Sequence, residues 1–171
     1  LKWDLSKYSH IIGNLPYYIT TGILEKVLLE STNLKRAVFM IQKEALNRFL
    51  AKIGTEDYGP IHILLAFRAS IRKEFNVPRT SFSPAPHIDS SVFSLEVKNN
   101  DTETGKTLYK LTSALFLNRR KTIHNNLSRH LNDSKRSEDV LNKAGIDLKT
   151  RPQNIDLEGY LRILSAISYG I

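Results

Sequence analysis

A mixed α/β sheet followed by a small all-helical domain is the fold class this sequence predicts, and three observations carry the prediction. Short apolar runs alternate with segments of helical period through the first part of the chain. Two later alternating runs, "SIRKEFNV" and "DSSVFSLEVK", are joined by a short irregular loop, which predicts an antiparallel pair in an otherwise strand–helix–strand sheet. After the polar tract "NNDTETGK" (Asn99 to Lys106) every segment has helical period. Two domains are therefore expected, over residues 1–100 and 101–171.

The elements follow in chain order. His10 to Gly13 reads as the end of a buried strand with its polar terminus at Asn14. Thr20 or Thr21 can cap a helix to about Leu29, with Ile23, Leu24, Val27 and Leu28 on its apolar face. "RAVFMIQ" (Arg36 to Gln42) is too short and too apolar for an amphipathic helix and reads as a buried strand. "KEALNRFLAKI" places Ala45, Leu46, Phe49, Leu50 and Ile53 at helical spacing, ended by Gly54. "PIHILLAFRA" fits helix or strand by period, and Pro60 at a first helical turn favours helix. Beyond the boundary four apolar stripes are expected: Leu108, Leu111, Leu115; Ile123, Leu127, Leu131; Val140, Leu141, Ala144; and Tyr160, Leu161, Leu164, Ile167.

Composition excludes several chemistries. Cysteine is absent, which removes disulfides, thiolate metal sites and a cysteine nucleophile, and agrees with a reducing compartment. No apolar run approaches the roughly 18 residues of a membrane span. None of the five histidines forms an i, i+4 pair, so a metal site is not expected. No Ser-His-Asp ordering or nucleophile elbow is present. A formal charge of +8 and a pI near 9.7 point toward a polyanionic partner. The cations concentrate between Arg119 and Arg136, where Asp133 is the single acid.

Three stretches could carry function. In "IIGNLPYYITTGIL" the turn from Asn14 to Tyr17 lies beyond the carboxyl end of a strand, where open α/β sheets bind ligands. Pro16 removes a backbone donor, which can leave neighbouring carbonyls free to accept; Asn14 adds an acceptor and Tyr17 a flat face. Acceptors beside an aromatic face suit the exocyclic amine of a planar base, although on spacing alone the same residues favour a tight strand-to-helix turn with an Asn cap and a core Tyr. In "SFSPAPHIDSSVFSL" two prolines stiffen a loop that presents Phe82, or that lets Phe82 plug the core. In "FLNRRKTIHNNL" the triplet Arg119, Arg120, Lys121 is expected on a helix, either as phosphate contacts or as a solvated helix start.

Taken together these stretches resemble the RNA adenine-N6 dimethyltransferases. "NLPY" after an apolar strand is similar to the family's catalytic motif, and "FMIQKEALNRFLAKIGTEDYG" to its following strand and helix. "FSPAPHIDSSV" resembles its later F-x-P-x-P-x-V-x-S loop, with Ile88 at the usual Val, and "FLNRRKTIHNNL" its C-terminal signature. The pairing of "NLPY" with "RRKT" resembles the small-subunit rRNA branch more than the resistance branch that modifies large-subunit rRNA.

The resemblance implies a Rossmann-like class I methyltransferase sheet, of which this chain is the C-terminal portion, and methyl transfer from S-adenosylmethionine to N6 of two adjacent adenosines near the 3′ end of small-subunit rRNA. It implies that Asn14 and the Leu15 or Pro16 carbonyl accept from the adenine amino group, that Tyr17 and Phe82 clamp the base, and that Asn14 borders the cofactor. Arg119, Arg120 and Lys121 would hold rRNA phosphates on a 30S-type subunit. A cytoplasmic monomer without metal is implied too. The family's glycine-rich cofactor loop has no counterpart here, so the chain alone is expected to bind S-adenosylmethionine weakly or not at all and to be inactive. A non-catalytic RNA- or ribosome-binding module is the competing expectation.

Overall fold

The computed structural model describes residues 4–168, except for the side chain of Tyr17. Contacts divide the chain into two compact units, Leu1–Ala51 with Leu64–Gly105, and Lys52–Ile63 with Lys106–Ile171. The segment Lys52–Ile63 thus groups with the helical part, which a single cut near residue 100 does not provide for.

The first unit holds a four-stranded sheet of β1 (His10–Asn14), β2 (Arg36–Gln42), β3 (Ala69–Val77) and β4 (Ser90–Val97), in the order β1-β2-β4-β3. β1 and β2 run parallel, because helix α1 (Thr20–Glu30) returns the chain between them. β4 is antiparallel to both β2 and β3, so the sheet is mixed, as the sequence predicts. Alternation along β2 buries Ala37, Phe39 and Ile41 and leaves Val38 and Met40 half-exposed. Phe39 meets Phe93 of β4 with ring centroids 5.8 Å apart. Ile23, Leu24, Val27 and Leu28 of α1 are buried, as their spacing predicts.

Helix α2 (Lys43–Phe49) stops short of expectation: Leu46 and Phe49 are buried, but Leu50 and Ile53 are exposed and lie beyond its end. Helix α3 (Pro60–Arg68) confirms the helical reading of "PIHILLAFR". Its last residue, Arg68, is 1% exposed; its Nε donates to Leu28 O (2.8 Å) and an Nη to Ser31 O (2.7 Å) at the end of α1. The other Nη donates to the Asn99 carbonyl. One cation thus ties the C-terminus of α1 to the loop after β4.

The second unit is helical, with the Lys106–Leu115 part of α4 (Thr102–Leu115), then α5 (Ile123–Leu131), α6 (Ser134–Ala144) and α7 (Leu157–Ser168). Caps punctuate it. Thr122 Oγ1 accepts from Asn125 N at α5, and Asp133 accepts from Arg136 N at α6. Asn132 (φ 53°) and Gly145 (φ 65°) close those two helices in the left-handed region. The four expected stripes are all represented among its buried residues, although in the last it is Tyr160 and Ile163 that are buried, while Leu161, Leu164 and Ile167 are half-exposed. Tyr58, Phe116 and Tyr160 form a chain of aromatic contacts with centroids 6.5 and 6.2 Å apart. The Tyr160 hydroxyl donates to Pro152 O at 2.8 Å.

Candidate functional site

At the carboxyl end of β1 the backbone is fixed by its neighbour. Asn14 is in register with Met40, and the Leu15 amide donates to Met40 O at 3.0 Å, so the parallel pairing continues one residue past the strand. Leu15 is buried, whereas Asn14 and Pro16 are exposed. The Leu15 side chain anchors the turn and the pleat turns the Asn14 side chain away from that anchor.

Pro16 (φ −60°, ψ 134°) leads into a short 3₁₀ turn, Tyr17–Ile19, that runs straight into α1. Its carbonyl accepts from Ile19 N (3.2 Å) and from Thr20 Oγ1 (3.1 Å). The expected threonine cap is therefore corrected: Ile19 occupies the cap position of α1, and Thr20, buried inside the first turn, donates backward to Pro16. With both lone pairs of the Pro16 oxygen engaged, the free acceptors of the turn are Asn14 and the Leu15 carbonyl, to which no donor is directed among the described residues. The side chain of Tyr17 lies outside the described residues; the next residue, Tyr18, is 86% exposed.

The loop bearing Phe82 leaves the sheet at the same end. Asn14 pairs with Met40, Met40 with Val92, and Val92 with Phe75, so the end of β3 and the start of β4 flank the end of β1. Asp89 secures the base of this loop: its carboxylate accepts from Arg79 N (3.0 Å) and its carbonyl from Lys43 N (3.1 Å). Phe82 is half-buried in extended backbone (φ −119°, ψ 149°). Below Asn14 a hollow of about 550 Å³ opens on one face of the sheet, lined by Ile12, Val38, Met40, Phe75 and Val92. Sequence reasoning missed it; the signal was the pair of apolar residues, Val38 and Met40, at half-exposed positions of β2.

In the second unit the basic triplet is not helical, contrary to expectation. Arg119, Arg120 and Lys121 lie in the connection between α4 and α5, where Lys121 N donates to Asn118 O at 2.9 Å and closes a tight turn. Arg119 is half-buried, donates to Thr55 O (3.2 Å) and stands 5.7 Å from the centre of the Phe116 ring. Arg120 and Lys121 are exposed. The triplet thus divides into one anchored cation and two displayed ones.

No cluster of three or more His, Asp or Glu side chains able to hold a metal occurs among the described residues, and no helix there is long and apolar enough to cross a membrane.

Comparison with known proteins follows the same residues. Residues 2–168 match the ribosomal RNA adenine dimethylase family. A ribosomal RNA small subunit methyltransferase A of Mesoplasma florum is 41% identical over 156 residues, covering 90% of this chain and 58% of that protein. Its namesake in Bacillus cytotoxicus is 37% identical over 164 residues, covering 92% and 56%. The chain thus spans little more than half the length of these relatives. Among solved structures, a dimethyladenosine transferase from Plasmodium falciparum superposes with a TM-score of 0.81 at 25% identity, over 98% of this chain and 70% of that one. The 23S rRNA methyltransferase ErmE superposes at 0.62 and 21% identity, a likeness of fold.

Proposed function

This chain belongs to the ribosomal RNA adenine dimethylase family, and we propose that the whole protein of which it resembles the C-terminal part methylates adenine N6 in small-subunit rRNA, with S-adenosylmethionine as donor. The observation that carries this reading is the acceptor pair at the end of β1, an exposed Asn14 beside the unengaged Leu15 carbonyl. An adenine amino group offers two N–H donors, and its lone pair is delocalised into the ring. Two acceptors fixed beside it draw those hydrogens out of the ring plane and localise the pair on N6. Such positioned acceptors act without metal or covalent intermediate, through orientation and electrostatics.

Tyr17 and Phe82 are the proposed stacking residues for a base taken out of its stack, worth roughly 1–3 kcal/mol per stacked base. The shared sheet end of the two loops supports this pairing. Arg120 and Lys121 are the proposed phosphate contacts, with Arg119 beside them as an anchored member of the triplet. The small-subunit substrate rests on the names of the most similar relatives.

Among the described residues no glycine-rich strand-to-helix loop of the kind expected to hold S-adenosylmethionine is present. Gly54 (φ 85°) lies in the loop after α2 and Gly145 (φ 65°) closes α6, so neither of these two glycines of positive φ among the described residues forms a strand-to-helix cofactor loop. Asn14, the residue proposed to border the cofactor, presents acceptors suited to an amine. The chemistry assigned to this chain is therefore the acceptor's side alone.

In the full-length protein, Asn14→Ala is expected to slow methylation of small-subunit rRNA by about 100-fold or more, the cost of losing one aligned hydrogen-bonding group. Tritium transfer from labelled donor to purified subunits measures it, and a wild-type rate in the variant rules the mechanism out.

A further inference from the structure

Asn126 belongs to none of the roles above, yet the basic turn is built around it. It sits in α5 and is 4% exposed, and its Nδ2 donates to three backbone oxygens: Thr122 O (3.0 Å), Asn118 O (3.1 Å) and Lys121 O (3.5 Å). Those carbonyls bracket the turn that carries Arg119, Arg120 and Lys121. A buried amide nitrogen with two hydrogens serving three oxygens is a costly arrangement to maintain, since any of its groups left unpaired is penalised.

The electrostatic effect is specific. A carbonyl oxygen is the negative end of a peptide dipole, and one exposed beside a phosphate would repel it. Asn126 draws three of them toward a buried donor. Among the described residues no acceptor meets the amides of Arg119 and Arg120, and the side chains of Arg120 and Lys121 are exposed. Arg119 fixes the same turn from its other side through Thr55 O and Phe116.

We propose that Asn126 is the positioning residue for phosphate binding at this turn: by holding the carbonyls of Asn118, Lys121 and Thr122 inward, it presents Arg120 and Lys121 as a preformed site for two adjacent phosphates of an RNA backbone. This rests on the reading of the turn as an RNA contact.

The test uses the 171-residue chain and a short stem-loop RNA, with affinity measured across a salt series. Arg120→Ala and Lys121→Ala should each lower the log–log salt slope by about 0.7–0.9. Asn126→Leu has nearly the same size and no charge of its own, so it should lower the slope only through the turn. In the background that lacks both cations it should lower the slope no further. If Asn126→Leu fails to give a cooperative melt, Asn126→Ser replaces it. On the unaltered chain, the Asn126 side-chain amide resonances should shift on RNA addition with the midpoint of binding. A wild-type slope in a folded Asn126 variant, or an effect that persists undiminished without Arg120 and Lys121, overturns the proposal while leaving the RNA contact intact. An unchanged slope in Arg120→Ala and Lys121→Ala overturns the RNA contact itself, and the proposal with it.

Discussion

Arg68 is buried with its nitrogens on carbonyl oxygens of Leu28, Ser31 and Asn99, where a carboxylate partner would be the usual arrangement. Burial pulls its pKa down, and the nearby charge of Asp101 opposes that. Helix C-termini carry partial negative charge, so the end of α1 supplies what the missing carboxylate would. Arg68→Met keeps the aliphatic stem and strands those oxygens, at about 1–3 kcal/mol each. A loss of about 3 kcal/mol or more is expected in urea unfolding; a change below 1 kcal/mol would mean that water replaces the guanidinium there. At the same scale, the acceptors of the site were only half legible in sequence. Asn14 and the proline announced a turn, but the capture of the Pro16 oxygen by Thr20 depends on the angle at which the 3₁₀ turn meets α1.

Helix α7 begins under an Asp156 cap whose carboxylate accepts from Gly159 N at 2.8 Å. A Cβ at Gly159 would lie 2.7 Å from Ile155 Cγ2 and 3.3 Å from Ile146 Cδ1. Helix propensity favours Gly159→Ala by about 1 kcal/mol, whereas overpacking costs about 1–3 kcal/mol. Ile155 is buried and β-branched, so it cannot swing aside cheaply. Net destabilisation of about 1 kcal/mol is expected in thermal melts of the variant, and a stabilised protein would show that Ile155 repacks. Elements set by strong local pattern were readable in advance: β2 runs from Arg36 to Gln42 as "RAVFMIQ" predicts, and Pro60 starts a helix. Those decided by tertiary contacts were not. Helical period continues from Phe49 to Ile53, yet the chain leaves α2 after Phe49, and Gly54 N donates instead to Gln153 O in the second unit. The basic triplet reads as helix for the same reason, and Asn126, eight residues on from Asn118, redirects it into a turn.

For the molecule as a whole, the two units set opposite limits on pH. In the first, a hydrogen bond from Ser94 Oγ (2.5 Å) and another from Arg72 hold the Glu74 carboxyl below the ordinary carboxylate range. A depressed folded pKa stabilises fully above the unfolded value, about 4.3, and the benefit is lost as pH falls through the folded one. In the second unit burial, with Tyr58 adding to it, raises the Tyr160 phenol above its ordinary value of about 10. Its contribution is full below that value and is lost as pH rises beyond it. Urea melts across pH should therefore show the deficit of Glu74→Gln shrinking below about pH 4, and Tyr160→Phe flattening the limb above about pH 10. A Glu74→Gln deficit constant down to pH 2 would break the link. The two outer strands of the sheet differ in a further way. β3 carries Arg72, Lys73 and Glu74 and an irregularity before Phe75, devices that discourage one sheet from adding to another. β1 reads "HIIGN", has no Lys, Arg, Asp or Glu, holds Ile12 86% exposed and pairs on one side only among the described residues. In concentrated solution at high salt, where the charge of +8 is screened, strand-to-strand aggregation of this 171-residue chain is expected to start at β1.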